Sequence, residues 1–208
     1  MNKPKFIFSI ATFFLVCLLS FTTSLAQTPP RQQTELSYEV LLQVLTGSNT
    51  ATDKSVAAPQ TLSDVLKKLR VNYSFSNYRL TSTYFQRVGN RGSTSSNSIS
   101  NEPNQSQDVY APIFSNLWLG GMENMPNANG QNSISIQNFR FGQKVPIKTA
   151  DFKDGSGKSN SVVNYEQVGL SMERLKLNIN VPTIIGSLAT SKPDEMMFLI
   201  LTIKPVEE

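Results

Sequence analysis

The chain has 208 residues, 19 basic and 15 acidic side chains, one cysteine and no histidine. Histidine triads and zinc sites of the Cys/His type are therefore excluded, and Cys17 has no second cysteine with which to form an internal disulfide. The small positive excess does not make a nucleic-acid footprint.

In chain order, Lys3 and Lys5 precede an almost wholly apolar run, Phe6 to Phe21, and Ser24 and Ala26 stand at the −3 and −1 positions of a small-residue cleavage site. That order predicts a secretory signal over residues 1–26. An uncleaved anchor is the alternative, since the run approaches the roughly 20 residues that span a bilayer. Cys17 sits inside the run behind Val16, which does not suit lipidation. Cleavage after Ala26 leaves 182 residues with 17 basic and 15 acidic side chains and no cysteine, so the core alone must hold the exported protein. Residues 27–36 are polar, carry Pro29 and Pro30, and predict a disordered lead-in.

Residues 38–45 (YEVLLQVL) are apolar on both faces apart from Glu39 and Gln43 and predict a central strand. In 61–70 (TLSDVLKKLR), Leu62, Val65, Leu66 and Leu69 share one helical face, Thr61 is placed to cap the first turn and Asp64 sits near the positive end. Ten residues cannot stand alone as a helix in water, so this one must lie on a sheet. Residues 77–88 alternate and are rich in aromatics and threonine, which predicts a second strand and completes a β-α-β unit. The Ser- and Asn-rich stretch 89–107 predicts a mobile loop. A strand is expected over 109–119, and Asn129-Gly130 signals a hairpin turn.

From Ser133 onward the pattern is β only, with strands expected over 133–141, 161–170, 173–181, 183–188 and 195–204. Over Arg174–Val181, Leu175, Leu177, Ile179 and Val181 alternate with polar residues, and Gly169 and Pro182 bound the stretch, so strand prevails over helix. The fold class is thus α+β, predominantly antiparallel β, with an α/β module over 37–120 and an all-β region over 133–205.

Motifs for chemistry are weak. GSGKS (155–159) resembles the end of a phosphate-binding loop, but position 152 is Phe where glycine is needed, and a strand pattern follows where a helix is needed. A flexible hairpin loop is the simpler reading. Asp194 and Glu195 are adjacent and would point to opposite faces of a strand. No catalytic, metal-binding or cofactor-binding residue is assigned.

One resemblance adds to this. The sequence NFRFGQKVPIKT (138–149), a Gly-rich loop, and then YEQVGLSMERLKL (165–177) resembles the start of the secretin core domain. The shared features are a Gly-x-x-x-Pro step, Gly142 to Pro146, a Tyr-x-x-Val-Gly strand, Tyr165 to Gly169, and a closing Leu-Thr-x-x-Pro, Leu201 to Pro205. The resemblance spans about residues 133–205. It implies the outer-membrane channels of type II and type III secretion and of type IV pili, and it makes the β-α-β unit comparable to the modules that precede a secretin core. The stretch between the Val-Gly strand and the last strand is too short for the family's gate and lip hairpins, so the assembly part is implied rather than a whole channel.

Three functions follow as expectations. The first is a non-enzymatic, exported, secretin-like protein of the periplasm or outer membrane, associating by strands with itself or with a secretion or pilus component; its contacts are expected at Lys144, Arg174, Lys176 and the 144–158 loop. It would touch the membrane only indirectly and would not bind nucleic acid. The second is an exported binding domain with a pocket lined by Tyr78, Tyr84, Tyr110 and Trp118. The third is a hydrolase using a pair among Asp151, Asp154 and Glu166.

Overall fold

The computed structural model describes residues 36–50, 58–100, 111–126, 132–157, 159–190 and 192–206. The signal sequence, most of the lead-in, Tyr110 and the Asn129-Gly130 turn lie outside them. Among the described residues the elements are β1 (Ser37–Ser48), a 3-10 turn (Gln60–Leu62), α1 (Ser63–Asn72), β2 (Asn77–Gly89), β3 (Ser93–Ser100), β4 (Ile113–Pro126), β5 (Asn132–Lys153), β6 (Ser159–Met172), β7 (Leu175–Asn178), β8 (Thr183–Ala189) and β9 (Glu195–Pro205). One antiparallel sheet has the order β2-β1-β9-β8. The other has the order β3-β4-β5-β6, with β7 also paired to β5. The protein is α+β and predominantly antiparallel β.

Alternation explains the packing. Tyr38, Val40, Leu42 and Val44 of β1 and Leu199, Leu201 and Ile203 of β9 share a core with Leu117 and Leu119 of β4 and Phe139 and Phe141 of β5. That core lies between the two sheets. On the far side of the first sheet, Leu62, Val65 and Leu69 pack against Leu45, Phe198 and Ile200. The helix covers only one end of β1, which is why burial on both faces begins at Leu42 while Glu39 and Leu41 stay partly open.

The helix begins later than Thr61. Leu62 N–H donates to the Pro59 carbonyl at 3.0 Å, forming a 3-10 turn, and the α-helix then starts at Ser63 with no side-chain cap. Asp64 stands in the first turn, as expected, and pairs with Lys67 at 3.2 Å. The flanking strands β1 and β2 are antiparallel neighbours, with a register shift between Val44 and Leu45.

Two further expectations change. Residues 93–100, expected within a mobile loop, form β3, paired to β4 from Ser93↔Gly120 to Ser100↔Ile113. Local composition disfavoured a strand there, but β4 supplies a hydrogen-bonding edge and Ser96 accepts a 2.6 Å hydrogen bond from Gln86 Nε2. The split into 37–120 and 133–205 does not follow the sheets either, because β9 pairs with β1 from Tyr38↔Pro205 to Ser48↔Glu195. Burial on both faces marks β1 as a central strand, and the C-terminal strand β9 is its second hydrogen-bonding neighbour.

In the second sheet, odd-numbered Leu117, Leu119, Phe139 and Phe141 face the core, yet so do even-numbered Met122, Ile134 and Ile136. The alternation changes phase at Gly121, whose φ is +64°. A Cβ there would lie 2.8 Å from the Gln137 side chain, so position 121 requires glycine on both counts.

Candidate functional site

Strand β5 is 22 residues long, and β4 accompanies it only as far as Phe114↔Lys144. Beyond Lys144, β5 pairs with β6 alone, from Val145↔Glu166 to Lys153↔Ser159. These nine residues of β5 make a two-stranded ribbon about 27 Å long at strand rise. The expected 144–158 loop is therefore ordered hairpin as far as Lys153, and only its tip is a turn. The reason is the period-2 pattern: Val145 and Ile147 on β5 and Val162 on β6 have side chains suited to pleated backbone.

The ribbon has two unlike faces. Register and a shift between Lys148 and Ala150 place Val145, Ile147, Ala150, Phe152 and Val162 on one face, with Asn164 and Glu166 of β6 beside them. Phe152 and Val162 are 53% and 41% exposed. The opposite face carries Lys148, Asp151 and Ser161 together with Pro146, Val163 and Tyr165. Lys148 Nζ lies 2.7 Å from Asp151 Oδ2, and Ser161 Oγ donates to Asp151 Oδ1 at 2.5 Å. The hydrogen bonds from Lys148 and Ser161 hold the Asp151 carboxyl below its ordinary pKa. At the tip, Ser156 N–H and Oγ donate to Asp154 Oδ1 at 3.0 and 2.6 Å, and Gly157 adopts φ +79°. Residues 154–157 thus form a side-chain-braced turn, and a strand starts at Ser159 where a phosphate loop would need a helix.

The expected contact residues lie on the same sheet. Lys144 is exposed at the root of the ribbon, opposite Phe114 and Gln167. Lys176 is exposed on β7 opposite Ser135, and Arg174 is exposed just before it. The strand expected over 173–181 is shorter, because Asn180 at φ +63° turns the chain after Asn178. Among the described residues β6 and β7 have a strand neighbour, β5, on one side only.

The other candidates disperse. Asp151 pairs across from Ser161, five residues along β6 from Glu166, which is roughly 17 Å at strand rise and too far for a carboxylate pair. Tyr78 packs with Phe75 and Phe198 beneath the helix, Tyr84 sits against Phe141 at 5.6 Å between the sheets, and Trp118 faces outward under Arg140 at 5.6 Å. They do not line one pocket. Among the described residues no group of acidic side chains or cysteine is placed to hold a metal ion. Phe152 and Val162 were not singled out from sequence; their signal was the apolar alternation on both sides of the Gly-rich turn.

No family model matches the sequence, and no curated protein matches it significantly. Solved structures similar in part are secretins. The secretin-domain β-barrel of InvG from the Salmonella SPI-1 injectisome is 10% identical at a TM-score of 0.36, covering 84% of this chain and 64% of that one. The V. cholerae type IV competence pilus secretin PilQ is 10% identical at a TM-score of 0.36, covering 84% and 58%. The type II secretin GspD from enteropathogenic Escherichia coli is 10% identical at a TM-score of 0.32, covering 97% and 74%. The chain thus spans less than two thirds of the length of the first two.

Proposed function

We propose that this chain is an exported, non-enzymatic envelope protein of secretin-like build that works by strand-to-strand association. Its partner is a further copy of itself or a component of a secretion or pilus machine. The observation that carries this reading is the ribbon formed by 145–153 and 159–166. A two-stranded hairpin is marginal in water and gains stability when a third strand or an apolar surface covers it. This one shows Phe152 and Val162 to solvent and leaves both long edges without a strand neighbour among the described residues. Lys144 at its root and Lys176 on β7, both on the face opposite Phe152 and Val162, and Arg174 just before β7 are the charged contacts of this reading. Export through cleavage after Ala26 and a place in the periplasm or at the outer membrane belong to the same reading.

The test is the native mass of the mature protein from an envelope extract, with and without crosslinking. The wild-type chain should run as a multimer or crosslink to a partner, and a Phe152→Asp, Val162→Asp double variant should run as a folded monomer. A wild-type monomer that crosslinks to nothing overturns the reading.

A further inference from the structure

The outward face of the second sheet carries a groove distinct from the ribbon's apolar face. Its volume is about 580 Å³, within the usual range for small-molecule sites. Gly142 forms its floor, opposite Gly169 of β6, so two neighbouring strands present no side chain at that level. One wall is Phe114 and Tyr165, 39% and 42% exposed, whose rings meet edge to face at 5.6 Å. Such a pair forms an aromatic corner at the groove. Across the floor, Asn116 Nδ2 donates to Asn97 Oδ1 at 2.6 Å. That bond uses one donor and one acceptor of the pair and leaves an amide N–H₂ and an amide carbonyl for a ligand. Gln167 lies beside Gly142 and adds a third amide.

Charge completes the picture. Lys144 is the one ionisable cation lining the groove, and among the described residues it has no ion-pair partner. Alternation places Arg140, Lys148, Lys153 and Lys176 on this same face, against Glu123 and Asp151. The face is therefore basic. A ligand for it needs an apolar ring face for the aromatic corner, hydroxyl or acetamido groups for three amides, and a carboxylate for Lys144.

We propose that the groove over Gly142 binds an acidic oligosaccharide, with one sugar ring against Phe114 and Tyr165, polar substituents on Asn97, Asn116 and Gln167, and its carboxylate on Lys144. Sugars combine a C–H face with a rim of donors and acceptors, which amides match in both senses. A phosphodiester ligand would be served by more cations in the groove and fewer amides.

The test is saturation-transfer NMR on the full chain with three probes: a tetrasaccharide alternating N-acetylglucosamine and glucuronic acid, neutral chitotetraose, and an oligothymidine. The acidic tetrasaccharide should bind more tightly than chitotetraose. Lys144→Met should weaken the acidic probe about tenfold, as expected for a lost charged hydrogen bond, and leave chitotetraose unchanged. Tyr165→Ala should weaken both sugars, while Lys176→Met, outside the groove on the same face, should weaken neither. Absence of acidic-sugar binding, equal losses from Lys144→Met and Lys176→Met, or tighter binding of oligothymidine would each overturn the assignment.

Discussion

Arg79 on β2 and Glu195 at the start of β9 form an ion pair, Nη2 to Oε1 at 3.6 Å, that reaches across the intervening strand β1. Their side chains are only 18% and 10% exposed, and among the described residues Arg79 Nε has no hydrogen-bond partner. Lys192 Nζ also approaches Glu195 Oε1 at 3.4 Å. Removing Glu195 would leave a largely buried guanidinium uncompensated. Glu195→Gln should therefore destabilise the fold by about 1–3 kcal/mol, whereas Arg79→Met combined with Glu195→Met should cost less than Glu195→Gln alone. Urea midpoints of the three variants decide this.

Tyr38 is 1% exposed and its hydroxyl has no hydrogen-bond partner among the described residues. A buried hydroxyl without a hydrogen bond costs free energy, so Tyr38→Phe should be neutral or stabilising by up to about 1 kcal/mol in thermal or urea unfolding. Burial also raises the Tyr38 pKa above its ordinary value of 10.0. The folded state then holds this proton more tightly than the unfolded chain. Stability from this group is complete below the unfolded pKa and falls as pH rises through the raised one. Tyr38→Phe should lessen the alkaline loss of stability, which unfolding at a series of pH values above neutrality would reveal.

Gly142 and Gly169 face one another on β5 and β6 but tolerate a methyl group differently. A Cβ on Gly169 would lie 2.5 Å from the Phe141 carbonyl oxygen and 3.0 Å from Gly142 Cα, both backbone atoms that cannot step aside. On Gly142 the nearest atom is Gln167 Nε2 at 3.4 Å, the end of a flexible side chain. Gly169→Ala should cost roughly 1–3 kcal/mol, as overpacking does, and Gly142→Ala much less. Equal losses for the two in a denaturant series would contradict the close approach at Gly169.

The ribbon should respond to acid. Hydrogen bonds from Lys148 and Ser161 depress the Asp151 pKa, so this group stabilises the folded ribbon above the ordinary carboxylate value and ceases to do so as pH falls through the lowered one. Asp151 is exposed, so the effect should be local. Amide exchange in 145–153 and 159–166 should quicken at low pH before the β1–β9 core opens, and Asp151→Asn should show the fast exchange already at neutral pH.

Much of the fold was legible in local pattern. The alternation of Tyr38, Val40, Leu42 and Val44 and the spacing of Leu62, Val65 and Leu69 identify faces, because side-chain direction repeats every 2 residues in a strand and every 3.6 in a helix. Lys144, Arg174 and Lys176 are each exposed, and their role as contacts belongs to the proposed association. The absence of histidine and the pattern of residues 3–26 were likewise properties of the sequence alone. Pairing was not legible. Periodicity says which face is buried but not which strand lies alongside, so the union of β1 with β9 and of residues 93–100 with β4 depended on hydrogen-bonding edges brought together from distant parts of the chain. The phase change at Gly121 comes from a single residue at φ +64°, and the length of β5 beyond Lys144 from its hairpin pairing with β6. A face is a local property of the backbone, whereas a neighbour, a groove or an open edge exists only once separate segments have packed.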